Sequence, residues 1–167
     1  MTDFVLGFDV GGTKLAAGLF TRAGALSYRH ETPTLAHEGG GPAVMARLID
    51  LGRRTLIAAG MQEMGHPSRW VGGRDHLVAV GLGTGGQVHP LSGQVVFANE
   101  NLPGWTGMPA RQRLEEAFGA PADVDNDANC AALAEAHFGA GRGHASVLCV
   151  TVGTGIGGGL VVDGKVF

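Results

Sequence analysis

Two aspartates and three glycine turns hold most of the residues that could do chemistry. Asp9 ends an apolar run and is followed by Gly11-Gly12-Thr13-Lys14, while Asn126-Asp127 opens an alanine-rich stretch and Gly153-Thr154-Gly155 repeats the first turn near the other end. A glycine turn lets backbone N–H groups converge with no Cβ in the way, and several together form a nest for phosphate. Thr13 adds a hydroxyl and Lys14 a positive charge, and Asp9 is placed to hold Mg²⁺ through water. Asp127 could then take a proton from a substrate hydroxyl while Asn126 holds a neighbouring one. Nests and Mg²⁺ for the charge, with one carboxylate for the attacking oxygen, are what phosphoryl transfer needs. Each part also has a plainer reading: turn glycines serve geometry alone, and Asn126 or Asp127 caps a helix. Their combination favours the chemistry.

Other patterns fail in context. Gly153-Thr-Gly155-Ile-Gly157-Gly158 and Gly81-Leu-Gly83-Thr-Gly85-Gly86 both fit G-x-G-x-x-G, but a dinucleotide site needs a helix at the third glycine. Strand continues after the first, and Pro90 follows soon after the second. Asp123-Val-Asp125-Asn-Asp127 starts like a calcium loop, yet Ala128 and Ala134 stand where glycine and glutamate are required. No glycine run precedes Lys14 at the spacing of a Walker A loop.

The elements that must position these residues follow from pattern. Phe4 to Val10, Leu15 to Phe20 and Leu26 to Thr32 read as three antiparallel strands. Val44, Leu48, Leu51 and Ala58 recur at helical spacing behind Pro42, which fits the first helical position. Residues 61–75 read as a loop and His76 to Gly83 as a strand; Gln87 to Ala98 is a short hairpin, and 99–105 a loop. Helices are expected over Pro109 to Phe118 and Asp127 to Phe138, with a strand at 121–126 between them. Ser146 to Val152 and Ile156 to Asp163 close the chain as a second strand, glycine turn and strand, which suggests two facing lobes.

Composition sets the bounds. The chain has 167 residues, enough for a sizeable core. It is 44% hydrophobic with a net charge of −3, which argues against a disordered polyelectrolyte and gives no basic footprint for nucleic acid. Thirty residues are glycine, well above the usual share of about 7%. The two cysteines, Cys130 and Cys149, lack metal or disulfide spacing, so a reduced, cytoplasmic setting is expected. The N-terminus has no basic, signal-like region. The uncharged stretch 145–162 is long enough for a membrane span, but its glycines and hydroxyl residues fit two strands better, so no membrane partner is expected.

Four segments together resemble the ROK family (repressors, open reading frames and sugar kinases), close to its bacterial glucokinases. They are Asp9-Val-Gly-Gly-Thr-Lys14, Asn101-Leu-Pro-Gly-Trp105, Asn126-Asp-Ala-Asn-Cys-Ala-Ala-Leu-Ala-Glu135 and Thr151-Val-Gly-Thr-Gly-Ile-Gly-Gly-Gly159. The resemblance implies an α/β, ribonuclease H-like fold of the actin/hexokinase/Hsp70 ATPase type, with ATP in a cleft between two lobes and a hexose, glucose first, deeper in. Gly11, Gly12, Thr13 and Lys14 would form the first phosphate turn and Gly153, Thr154 and Gly155 the second. Asp9 would sit near Mg²⁺, Asp127 would be the base, and Asn126, Asn101 and Gly86 would lie at the sugar. Gly85 stands where the family usually has proline, and the 61–75 loop is longer than usual.

The resemblance also implies a further hundred or more residues, with a Glu-x-Gly-His motif, a zinc-binding cysteine cluster and the adenosine pocket; none of these precedes Phe167. Residues 1–140 are therefore expected to form a first lobe and 141–167 the opening hairpin of a second. Little kinase activity is expected of this chain alone. Its last strands would expose an apolar edge and self-associate. A non-catalytic, sugar-responsive protein or a truncated relic is the competing expectation.

Overall fold

A computed structural model describes residues 2–65, 69–153 and 155–167. β1 (Asp3–Val10), β2 (Lys14–Thr21) and β3 (Leu26–Pro33) form the expected antiparallel meander, followed by helix α1 (Gly40–Ala58). Next come the short strands β4 (Gln62–Met64) and β5 (Arg69–Gly72), the long β6 (Asp75–Thr84), and the small hairpin of β7 (Gln87–Val88) with β8 (Val95–Phe97). Helix α2 (Ala110–Phe118), strand β9 (Ala122–Asn126) and helix α3 (Asp127–Phe138) lead to β10 (Ser146–Val152), β11 (Ile156–Val162) and β12 (Lys165–Val166).

The main sheet runs β3-β2-β1-β6, with β6 long enough to pair twice along its other edge. Its start carries β5 and then β4, antiparallel; its end carries β9, parallel. β1 and β6 are also parallel, so β1, β6 and β9 point their C-terminal ends the same way. That is the edge at which ligands bind in parallel α/β sheets. The hairpin β4–β5 corrects the loop expected over 61–75. Trp70 is the reason: it is buried in the core at 3% exposure and turns an outwardly polar stretch into a strand.

Alternation along the strands divides the sheet's two faces. Leu6, Phe8 and Val10 of β1, and Val80 and Leu82 of β6, are buried in one core with α1 and α2. Phe8 and Phe118 meet there with ring centroids 5.7 Å apart. A Cβ at Gly52 would come within 2.5 Å of the Phe8 ring, so glycine lets α1 lie this close to the sheet. The helix begins at Gly40, two residues before Pro42, and Ala58 is exposed; both differ from the sequence expectation. Val44, Leu48 and Leu51 are buried as expected.

The opposite face is floored by glycine. Across the parallel ladders Asp9 pairs with Gly83 and Gly83 with Asp125, forming a row of aspartate, glycine, aspartate at the C-terminal edge. Helix α3 crosses this face and then packs on a second sheet of order β10-β11-β12. A Cβ at Gly159 would lie 2.4 Å from the Ala128 carbonyl oxygen and one at Gly157 3.2 Å from the Ala128 Cβ. These two glycines admit the helix to the strand, a packing role that their sequence pattern as a phosphate turn does not disclose. No described helix is long and apolar enough to cross a membrane.

Candidate functional site

Strand β9 passes into helix α3 without an intervening residue, so Asn126 and Asp127 stand at a corner. Asn126 is the N-cap: its Oδ1 accepts the N–H of Ala128 at 3.0 Å and that of Asn129 at 3.4 Å. Its Nδ2 donates to the Gly86 carbonyl at 2.8 Å, which fastens the loop after β6 to the head of α3. Gly86 itself has φ +101, and a Cβ there would meet the Phe97 carbonyl oxygen at 2.2 Å. Only glycine fits both restrictions.

Asp127 is exposed beside this cap, with one carboxylate oxygen accepting the Ala128 N–H at 2.9 Å. It opens onto a cavity of about 360 Å³ shared with Asp9, Gly83, Cys130 and Thr151. The two aspartates singled out in the sequence thus line one space, although 118 positions of chain separate them. Thr151, which sequence reading treated only as part of a glycine motif, contributes a wall from the second sheet. The signal was present: Thr151 lies on the inward side of an alternating strand. A larger groove of about 730 Å³ lies along α3 beyond Asp125 and is lined mainly by apolar side chains; it does not include Asp9 or Asp127.

Electrostatics at the cavity are those of two nearby acids. Desolvation raises the Asp9 carboxyl above its ordinary value, and the Asp127 carboxylate adds to the effect; Lys14 and Arg29 oppose it. Burial pushes the Cys130 thiol up to about 11, with Asp125 and Asp127 contributing, so Cys130 stays a neutral thiol. Among the described residues no group of three or more His, Cys, Asp and Glu could hold a metal. Two carboxylates fit a cation such as Mg²⁺, which keeps several waters and takes its other oxygens from phosphate.

The first glycine turn is held from three sides. The Gly11 N–H closes the turn on the Lys14 carbonyl at 3.0 Å, the Thr34 hydroxyl donates to the Gly11 carbonyl at 2.6 Å, and the Thr34 N–H donates to the Thr13 carbonyl at 3.0 Å. Gly12 abuts Asn101, whose Cβ is 3.0 Å from where a Gly12 Cβ would stand. The Gly85 N–H donates to the Val10 carbonyl at 3.2 Å, linking this turn to the loop of Gly86. Lys14 is turned aside: its Nζ pairs with Glu31 at 3.0 Å, and Glu31 also binds Arg29. In the second turn Gly153 N–H donates to the Gly155 carbonyl at 2.9 Å and both glycines are exposed; Thr154 lies outside the described residues.

Behind these loops Trp105 is fully buried and donates its indole N–H to the Thr84 hydroxyl at 2.9 Å. The 99–105 loop is therefore anchored to the end of β6, the same strand end that carries Gly85 and Gly86.

A parallel-edged sheet with a glycine floor, two aspartates on one cavity and a capped helix between two sheets defines a class, and comparison with known proteins supplies the family. The ROK family pattern matches residues 71–167, more than half of the chain, and the chain belongs to that family. It is 36% identical to a glucokinase of Streptomyces coelicolor over 96% of its own length and 44% of the relative's. It is 37% identical to an N-acetyl-D-glucosamine kinase of Aliivibrio salmonicida over 96% of its length and 47% of the relative's. Among solved structures, a ROK hexokinase from Thermus thermophilus superposes with a TM-score of 0.78 at 40% identity, covering 98% of this chain and 48% of that one. A ROK glucokinase from Streptomyces griseus, solved with glucose and AMPPNP, gives 0.75 at 32% identity over 98% and 46%. The fold is accordingly the ribonuclease H-like, actin/hexokinase/Hsp70 ATPase type. The chain spans about half the length of these relatives.

Proposed function

We propose that this chain belongs to an ATP-dependent sugar kinase and carries its catalytic base, first phosphate turn and sugar-side loops. The single observation behind this reading is the cavity shared by Asp9, Asp127 and Thr151, bounded by the two sheets and by the head of α3. Asp127 accepts the proton of a hexose hydroxyl as that oxygen attacks the γ-phosphorus; the bond to the bridging oxygen breaks, and its electron pair leaves with ADP. Gly12 and Thr13, with Gly11 and Lys14 closing the turn, hold phosphate from one side, and Gly153, Thr154 and Gly155 from the other. Lys14 must leave Glu31 to reach it. Asp9 would hold Mg²⁺ through water, and the ion would supply neutralisation of phosphate charge. Asn101, Asn126 and Gly86 form the sugar side.

Glucose and its 6-hydroxyl are the substrate and site we favour, supported by the glucokinase relatives, with the N-acetylglucosamine kinases marking the nearest competitor. We read residues 1–140 as one lobe and 141–167 as the opening of the other, and the protein as a cytoplasmic one, where ATP is available. Self-association through β10 completes the proposal.

Titration calorimetry of the chain with glucose, then with MgAMPPNP, tests the reading. Saturable glucose binding that Asp127→Ala weakens supports it; no binding of either ligand counts against it.

A further inference from the structure

Asp125 lines the groove along α3 together with Asn129; this groove adjoins the cavity that Asp127 faces, sharing Phe8, Gly83 and Cys130 with it, but Asp125 does not line the cavity itself. We propose that Asp125 and Asn129 are positioning residues that set the direction of the Asp127 carboxylate. The inference rests on the reading of Asp127 as the base.

The chain turns from strand to helix at one residue, and a corner with no loop leaves backbone donors that need partners. Asp125 supplies one. The Asn126 N–H donates to Asp125 Oδ1 at 2.6 Å, and the Asn129 side-chain Nδ2 donates to the same oxygen at 3.0 Å. The Asn129 N–H returns to Asn126 Oδ1 at 3.4 Å. These three bonds close a circuit, 125 to 126 to 129 and back, around the two residues between them, Asp127 and Ala128. Two of them end on a charged acceptor, the stronger kind, and a closed circuit loses more than one bond when a member is removed. Asn126 then carries the same restraint onward to Gly86. The backbone on either side of Asp127 is thereby fixed from the groove side, which leaves the cavity side free for substrate.

Two variants test this. Asn129→Asp sets a second carboxylate against Asp125 and breaks the brace by repulsion, whereas Asp125→Asn keeps Oδ1 as the acceptor for both donors and leaves it in place. The readouts are the χ1 scalar couplings of Asp127 and hydrogen exchange at the Ala128 amide, measured by NMR on the full chain. Asn129→Asp is expected to average the Asp127 χ1 and to speed Ala128 exchange about tenfold, and Asp125→Asn to keep both near wild type. Wild-type couplings in Asn129→Asp, or averaged couplings in Asp125→Asn, would overturn the proposal. Should Asn129→Asp not fold, Asn129→Ala removes one bond without adding charge and is read in the same way. Glucose titration of the wild type keeps the two questions apart: absent binding counts against the kinase reading, while the couplings still decide the brace.

Discussion

The Asn126 side chain donates to the Gly86 carbonyl at 2.8 Å while its oxygen caps α3, so one residue ties the helix bearing Asp127 to the loop that ends β6. The two functions of the amide can be separated. Asn126→Asp keeps the cap acceptor and loses the donor; Asn126→Ala loses both. An N-cap is worth about 1 kcal/mol, and in a chain of this size that is about 2–4 °C. Asn126→Ala is therefore expected to lower Tm by several degrees and Asn126→Asp by less, while both loosen Gly86, visible as faster amide exchange at 86–88. Equal Tm losses in the two variants would mean that the cap contributes little.

Asp127→Asn should leave the fold unchanged, because the cap belongs to Asn126 and an amide oxygen can still accept the Ala128 N–H. Loss of the base should cost about 10²–10⁴ in turnover. A coupled assay of ADP release with glucose and MgATP, on a form of the protein of family length, measures it. Turnover within about threefold of wild type would remove Asp127 from its assigned role.

Asp9 carries a stability cost that depends on pH. Its folded carboxyl is raised above the ordinary 3.8 by desolvation first and by Asp127 second. The folded state thus holds the Asp9 proton more tightly than the unfolded chain. Stability from this group is full below 3.8, falls as pH rises through the raised value, and stays lost above it. Asp9→Asn should accordingly raise Tm at neutral pH, with the gain shrinking toward nothing at about pH 3. Added Mg²⁺ should stabilise the wild type more than the variant. A variant that melts below wild type at pH 7, with no trend toward acid, would contradict this account.

Much of this was readable from residue types, and the exceptions have physical causes. Asn126 and Asp127 announced the helix start because a cap needs a short side-chain acceptor at that place, and β9 and α3 fall where the pattern put them. β5 escaped because one buried aromatic, Trp70, decides it, and the adjacent pair Trp70-Val71 among Gly, Arg and Asp leaves no alternation to detect. The start of α1 slipped because Pro42 fits any of the first helical positions, all of which lack an intrahelical acceptor for their N–H. Lys14 was legible as a charge but not as a partner: Glu31 comes beside it only through the pairing of β2 with β3. The glycines of 157–159 look alike in sequence, yet two of them admit α3, and only the helix crossing above them reveals that.

β10 forms one edge of its sheet, and Leu148, Val150 and Val152 on its outer face are 70%, 58% and 79% exposed, with Ile156 of β11 beside them at 82%. The other side of the strand is half-buried against α3, so the apolar residues form one continuous face next to unpaired backbone groups. No charged residue interrupts it from Ser146 to Val152. Natural edge strands are usually blunted by charge, and this one is not. A second copy of the chain, pairing edge to edge and covering the face, would satisfy both the backbone and the side chains. Sedimentation velocity at micromolar concentration is expected to show a dimer or larger species. Val150→Lys, a charge at the centre of the patch and pointing away from α3, should shift the chain toward monomer without lowering Tm by more than about 2 °C. A wild-type chain that sediments as a clean monomer across that range would show that the exposed face has no affinity for its own kind.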